Sequence, residues 1–131
     1  MGKIQAYTTT AHYQTQLSNG RIEIIADEPI DLGGQDLGFA PEELLCSALA
    51  ACTNITLRMY ADRKEWPLEA IHTEVEIVRD DNSKTNTFVR KIRLEGALDA
   101  AQRERLLQIA SLCPVHKILS GQLAIGTTAD F

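Results

Sequence analysis

The stretch that decides the fold runs from Pro41 to Lys64 and reads PEELLCSALAACTNITLRMYADRK. Its apolar residues recur at steps of three and four, the spacing that brings side chains onto one side of an α-helix. These residues are Leu45, Ala48, Leu49, Cys52, Ile55, Thr56 and Met59. Proline suits the first helical turn, and the two glutamates that follow it complement the positive end of the helix dipole. We therefore predict one long helix, with Cys52 on its apolar side.

Further apolar residues of this helix lie off the main stripe, among them Leu44, Leu57 and Tyr60. A helix that is apolar around much of its circumference has more apolar surface than a small single-chain domain can bury. Dimerisation around the helix buries the excess, so we expect a homodimer.

The segments before the helix predict short strands and a loop. Residues 4–17 are rich in Thr and Tyr with loose alternation, which is typical of one or two strands. Asn19-Gly20 is a strong hairpin signal, because both residues tolerate positive φ, and it predicts a return strand over residues 21–26. Residues 27–40 contain a proline, paired glycines and three aspartates, and we expect an ordered loop there.

The segments after the helix predict a hairpin and two more helices. Residues 71–79 alternate apolar and polar side chains, and residues 87–95 place Phe88, Ile92 and Leu94 on one face. These two segments should pair as antiparallel strands.

Asp99, with Gln102 three residues later, has the capping-box pattern that starts a helix. Pro114 ends that helix and suits the first position of a short third one. A final strand is predicted over residues 123–131.

This order of elements indicates an α+β domain with antiparallel sheets, not a doubly wound parallel sheet. A chain of 131 residues has the size of one domain, so we expect a single domain over residues 1–131. The net charge of −5 provides no basic surface for nucleic acid or an anionic membrane. No signal-peptide pattern and no run of about 18 apolar residues is evident. We therefore expect a soluble cytoplasmic protein.

Three cysteines, Cys46, Cys52 and Cys113, carry the candidate chemistry. Their odd, sparse number does not fit a disulfide framework, so we expect reduced thiols. Burial on an apolar helix face raises the pKa of a thiol, so periodicity alone makes Cys52 a packing residue rather than a nucleophile. Cys113 precedes a helix start, where backbone N–H donors lower a thiol pKa. His116 is a candidate base or charge partner for Cys113, and the alternative is that it is a surface residue.

Cys46, Cys52, Cys113 and His116 also form a possible four-ligand set for zinc. Cys46 and Cys52 are six residues apart on the predicted helix, so their side chains point about 120° apart. Convergence on one ion would require a broken helix, and we expect no metal site.

Two motifs, PEELL…AAC at residues 41–52 and CPV at residues 113–115, together resemble the OsmC/Ohr family. This family contains the osmotically inducible and organic-hydroperoxide-resistance proteins. The segment at residues 56–67, which ends in Trp66-Pro67, is similar to the OsmC-like branch more than to the Ohr branch. With the order of strands and helices around the motifs, the resemblance covers nearly the whole chain.

The resemblance implies an OsmC-like fold, with antiparallel sheets packed around a long central helix in an intertwined homodimer. It implies a cysteine peroxidase that reduces hydroperoxides, organic ones especially, without a cofactor. By motif position, Cys52 matches the peroxidatic cysteine and Cys113 the resolving cysteine. Glu42 matches the acidic residue that helps to hold the family's catalytic arginine. That arginine comes from the N-terminal segment, where Arg21 is a candidate by position alone.

The implied cycle forms a sulfenic acid on Cys52, which condenses with Cys113 to a disulfide that a dithiol reductant then opens. Cys46 is most simply a packing residue, although it is an alternative partner for Cys52. The competing hypothesis is a non-enzymatic dimeric module that binds a small acyl or lipid-like ligand and uses its cysteines for packing. That hypothesis predicts no peroxide turnover.

Overall fold

The computed structural model describes residues 2–130, which divide into two compact units between Cys46 and Ser47. In chain order the strands and helices are β1 (Gln5–Thr8), β2 (Thr15–Ser18), β3 (Glu23–Ala26), α1 (Pro41–Lys64), β4 (Leu68–Asp80), β5 (Thr85–Gly96), α2 (Ala100–Ala110) and α3 (Pro114–Ser120). Both sheets are antiparallel. The predicted α+β class is confirmed.

In the first unit, the strands form a three-stranded sheet in the order β1-β2-β3. The turn between β2 and β3 is the predicted Asn-Gly turn. The Asn19 side chain accepts hydrogen bonds from the backbone N–H groups of Arg21 and Ile22, at 2.9 and 2.8 Å. Gly20 has a φ of +96°, a value that glycine adopts without steric cost.

The loop between β3 and α1 is ordered by one buried carboxylate. Asp27 is 2% exposed and accepts hydrogen bonds from the backbone N–H groups of Tyr13, Glu28, Gln35 and Leu37. Burial raises the pKa of the Asp27 carboxyl, but the four N–H donors together lower it below its ordinary value. The ordered loop predicted for residues 27–40 is confirmed.

Helix α1 has the predicted bounds, but the chain itself buries only part of the predicted apolar stripe. The buried residues are Leu49, Thr53, Leu57 and Ala61, each four residues after the last. Leu45, Ile55 and Met59 of the predicted stripe are 48%, 56% and 60% exposed. The reason is that the helix carries apolar side chains on more than one side, and periodicity does not tell which side the chain itself covers.

By length and composition α1 could cross a membrane, with 22% of its most apolar window buried. The core helix of a soluble protein passes the same test. In the second unit this helix contributes Leu57 and Ala61 to a core completed by Leu68 and three residues of α2, Leu106, Ile109 and Ala110.

The hairpin of β4 and β5 is confirmed and is longer than predicted at both ends. In its register Val75 faces Arg90 and Ile77 faces Phe88. The capping box of α2 is also confirmed. The backbone N–H of Gln102 donates to the Asp99 side chain at 2.8 Å, and the Asp99 N–H donates to the Gln102 side chain at 3.0 Å.

Helix α3 begins at Pro114 as predicted, with Cys113 as its N-cap residue. The strand predicted at the C-terminus is wrong for residues 123–130, which have no regular structure, and Phe131 lies outside the described residues. A strand requires a neighbouring strand to accept its hydrogen bonds. Leu123 and Ile125 are instead 64% and 93% exposed.

Candidate functional site

The second unit brings the Cys52 thiol of α1 to the Cys113 thiol at the junction of α2 and α3. The backbone N–H of Val115 donates to Cys52 Sγ at 3.5 Å, and the N–H of His116 donates to Cys113 Sγ at 3.3 Å. The two thiols are close enough that the Cys52 thiol raises the pKa of Cys113. Both are free thiols. The junction between α2 and α3, which carries Cys113, therefore lies against the middle of α1, which carries Cys52.

The two thiols differ in burial. Cys113 is completely buried, whereas Cys52 is partly exposed. Burial raises the pKa of the Cys113 thiol, and the neighbouring Cys52 thiol raises it further. The His116 N–H and the Arg90 charge lower the pKa of Cys113 without cancelling these effects. The predicted backbone donor is present, but the expectation of a lowered Cys113 pKa is wrong, because desolvation outweighs the donor.

Arg90 joins the three helices at the thiol pair. This residue lies on β5, and its Nη1 donates to Thr53 Oγ1 at 3.0 Å and to the Ala110 carbonyl at 3.3 Å. Its Nη2 lies 3.1 Å from His116 Nδ1. Thr53 follows Cys52 directly on α1, Ala110 ends α2, and His116 lies on α3. The guanidinium therefore connects every helix that contributes to the site.

Sequence reasoning missed Arg90, although the strand pattern contains a signal for it. Phe88, Ile92 and Leu94 were predicted on one face of β5, and position 90 completes that alternation. Arg90 is partly buried with them, whereas Lys91 and Arg93 on the other face are exposed. A single cation on the apolar face of a strand must find acceptors there or lose its hydration without compensation.

A cavity of about 440 Å³ adjoins this network. Arg90 and His116 belong to its wall, and Leu49, Phe88 and Leu119 supply apolar surface. The polar part of the wall is formed by Arg90 and His116, which also lie at the thiol pair, together with Asn86, Thr87 and Ser120. Such a cavity suits a small molecule with an apolar part and one polar group.

The other predicted site residues belong to the first unit. Glu42 lies in the first turn of α1 and is exposed, and Arg21 lies in the turn before β3. Cys46 lies on α1 and is partly buried. The roles of these residues remain predictions. Within residues 2–130, no cluster of three or more His, Cys, Asp and Glu side chains is arranged to hold a metal ion.

Comparison with known proteins identifies the fold. The model of the OsmC-like protein family matches residues 33–128, and comparison with curated proteins gives no match. The OsmC-like protein of Mycoplasma pneumoniae is 20% identical, with a TM-score of 0.79 and coverage of 92% of this chain and 88% of that chain.

Two solved structures carry names that refer to hydroperoxides. The organic hydroperoxide resistance protein OsmC of Legionella pneumophila is 21% identical, with a TM-score of 0.65 and coverage of 92% of this chain and 90% of that chain. The organic hydroperoxide resistance protein OhrB of Bacillus subtilis is also 21% identical, with a TM-score of 0.63 and coverage of 92% and 91%. At these identities the structures establish a shared fold. Because the family model matches well over half of its residues, the chain belongs to the OsmC-like protein family.

Proposed function

We propose that this protein is a thiol-dependent peroxidase that reduces organic hydroperoxides. The observation that carries the proposal is the contact between two free thiols from distant parts of the chain, one partly exposed and the other buried. This difference in exposure suits peroxide reduction by a cysteine pair. The exposed sulfur reacts with the peroxide, and the buried sulfur then reacts with the sulfenic acid that forms on the first. Relatives of the same fold are named organic hydroperoxide resistance proteins.

In the first step the Cys52 thiolate attacks one oxygen of the hydroperoxide. A sulfur–oxygen bond forms, the peroxide oxygen–oxygen bond breaks, and the alkoxide takes up a proton and leaves as the alcohol. Cys52 becomes a sulfenic acid, which is the reversible first oxidation state of a cysteine. Cys52 is assigned this role because its side chain is partly exposed, whereas Cys113 is fully buried.

In the second step the Cys113 thiolate attacks the sulfenic sulfur of Cys52. The sulfur–sulfur bond forms as hydroxide leaves, and a proton converts the hydroxide to water. A dithiol reductant then donates two electrons, so that its own sulfurs become a disulfide and the two cysteines become thiols again. The donors at the start of α3 support this pairing, because Val115 N–H reaches Cys52 Sγ and His116 N–H reaches Cys113 Sγ, and condensation requires the two sulfurs to approach each other.

The cavity supports an organic rather than an inorganic peroxide. Leu49, Phe88 and Leu119 provide apolar contacts for an alkyl group, while Arg90 and His116 provide polar ones. Hydrogen peroxide has no alkyl group to bury, so it gains nothing from those apolar contacts. We propose that it is a poorer substrate.

The proposal extends to the assembly and the location of the protein. Ile55 and Met59 leave exposed apolar surface on α1, which supports an intertwined homodimer built around this helix. By family resemblance, Glu42 and an N-terminal arginine, for which Arg21 is the candidate, complete the site. Free thiols and the need for a dithiol reductant fit the cytoplasm.

The test is a peroxide-consumption assay with cumene hydroperoxide as substrate and dithiothreitol as the dithiol. Cys52→Ser should abolish consumption. Cys113→Ser should complete a first turnover and leave a sulfenic acid on Cys52, which dimedone traps and mass spectrometry detects. Cys46→Ser is the matched control and should keep steady-state turnover.

Undiminished turnover in Cys52→Ser would overturn the proposal. A peroxide-treated wild type that contains a Cys46–Cys52 disulfide, with Cys113 still reduced, would overturn the assignment of the resolving cysteine. Absence of turnover in the wild type with every tested peroxide would favour the ligand-binding module.

A further inference from the structure

Arg90 lies where its charge can affect the formation and the reduction of the proposed Cys52–Cys113 disulfide. Its three hydrogen-bond acceptors are the Thr53 hydroxyl, the Ala110 carbonyl and the His116 imidazole. A guanidinium is protonated at every physiological pH, so an arginine at this position always carries its charge. None of the three acceptors carries a negative charge, so none of them cancels that charge.

The contact with Arg90 also sets the state of His116. A guanidinium nitrogen can only donate, so His116 Nδ1 must accept and is unprotonated in this arrangement. The groups that face Cys113 are the Cys52 thiol from α1, the Arg90 guanidinium from β5 and His116 from α3, while α2 contributes the Ala110 carbonyl to the network. Arg90 is the cation of this set.

The burial of Cys113 determines which sulfur a reductant can reach. In the Cys52–Cys113 disulfide of the proposed cycle, an incoming thiolate meets the partly exposed Cys52 sulfur, because Cys113 is fully buried. The sulfur–sulfur bond then breaks with its electron pair on Cys113. A buried thiolate without a cation nearby is a poor leaving group, because desolvation disfavours its charge.

We propose that Arg90 is a positioning residue that stabilises the Cys113 thiolate, both as the attacking group in disulfide formation and as the leaving group when a dithiol opens the disulfide. This role rests on the proposed peroxidase function. Arg90 touches neither sulfur through a hydrogen bond of its own. It acts through its charge and through its contacts with Thr53 and His116, which flank the two cysteines.

The first experiment measures the ionisation of Cys113 without any peroxide chemistry. In a Cys46→Ser, Cys52→Ser background, Cys113 is the only thiol, and the carbon shift of its labelled Cβ follows the thiolate fraction with pH. Arg90→Gln and Arg90→Met should each raise the titration midpoint by about one pH unit, which is a thiolate fraction about tenfold smaller below the midpoint. Arg90→Lys should recover most of this shift, because it keeps the charge.

Lys91→Gln is the matched control, since it removes one positive charge from the neighbouring exposed position of β5. Its midpoint should equal that of the parent, because solvent screens exposed charges. Two neutral variants are used so that one folded protein is available if the other does not fold. A midpoint unchanged in a folded neutral variant would overturn the proposal, as would an equal shift in Lys91→Gln.

The second experiment follows the opening of the disulfide. Diamide forms the Cys52–Cys113 disulfide in the chain with both cysteines, and dithiothreitol reopens it. Arg90→Gln should slow the reopening by about three- to tenfold, because a leaving thiol with a higher pKa leaves more slowly. An unchanged rate would overturn the leaving-group role. Neither experiment uses a peroxide, so a protein without peroxidase activity would refute the proposed function and still show whether Arg90 acts on Cys113.

Discussion

Replacing Thr53 by valine tests the hydrogen-bond network beneath the thiols. Thr53 is completely buried on α1, donates to the Leu49 carbonyl at 2.7 Å and accepts from Arg90 at 3.0 Å. Valine has nearly the same shape but can make neither bond. The substitution therefore removes the hydrogen bonds while leaving the packing volume almost unchanged.

The expected magnitude follows from the partners of Thr53. The bond to Leu49 joins neutral groups and contributes about 1 kcal/mol, and the bond from the Arg90 guanidinium contributes about 1.5 kcal/mol, the low end for a charged donor. The low end applies because Arg90 is partly exposed and keeps the Ala110 carbonyl as an acceptor. Burying a methyl group in place of the hydroxyl returns about 0.8 kcal/mol. The free energy of unfolding should fall by about 1.7 kcal/mol.

Urea denaturation followed by circular dichroism measures this change, at one protein concentration because the stability of the proposed homodimer would depend on concentration. Thr56→Val, on the same helix, is the control and should change stability by no more than about 0.5 kcal/mol. Area burial alone predicts the opposite sign for Thr53→Val. A Thr53→Val protein as stable as the wild type, or more stable, would show that the network contributes nothing to folding.

Two further predictions concern the first unit and the assembly. Because the folded-state pKa of Asp27 is lowered, its carboxylate contributes stability above the unfolded pKa of about 3.9, and that contribution is lost as pH falls below this value. Asp27→Asn should therefore lower the free energy of unfolding at pH 7, and that free energy should fall less steeply below about pH 4 than in the wild type. Unfolding measured over a series of acid pH values tests both effects. Asp81→Asn, on the exposed hairpin turn, is the control and should show neither effect. Met59→Lys should convert the proposed dimer to a monomer in sedimentation velocity, whereas Leu107→Lys on α2 should not. A monomeric wild type at micromolar concentration would contradict the second of these.

Local signals predicted most of the secondary structure. The bounds of α1, the Asn-Gly turn, the capping box at Asp99 and the proline start of α3 each depend on residues close together in sequence. Such signals act over one or two turns of chain, so they can be read without knowing the fold. The C-terminal strand was predicted wrongly because strand formation depends on a neighbour that local sequence does not specify.

The residues of the candidate site also differ in whether the sequence indicates them. Cys52 and Cys113 could be singled out because PEELL…AAC and CPV resemble motifs of the OsmC/Ohr family, and the role that this resemblance implies for Glu42 stays a prediction. Arg90 could not, because its partners Thr53, Ala110 and His116 are 37, 20 and 26 residues away in sequence. The alternation of β5 contains a signal that position 90 shares the face of Phe88 and Ile92, but nothing local to that strand indicates which acceptors Arg90 meets.

The sequence by itself determined the helix that carries Cys52, the junction that carries Cys113 and the α+β order of elements, because each of these depends on neighbouring residues. Only the tertiary structure decided which side of α1 the chain covers, that the two thiols meet, and that burial raises the pKa of Cys113 while Arg90 opposes the rise. These properties arise from desolvation and from charges brought together across the fold, and both depend on distances in space rather than on positions along the chain.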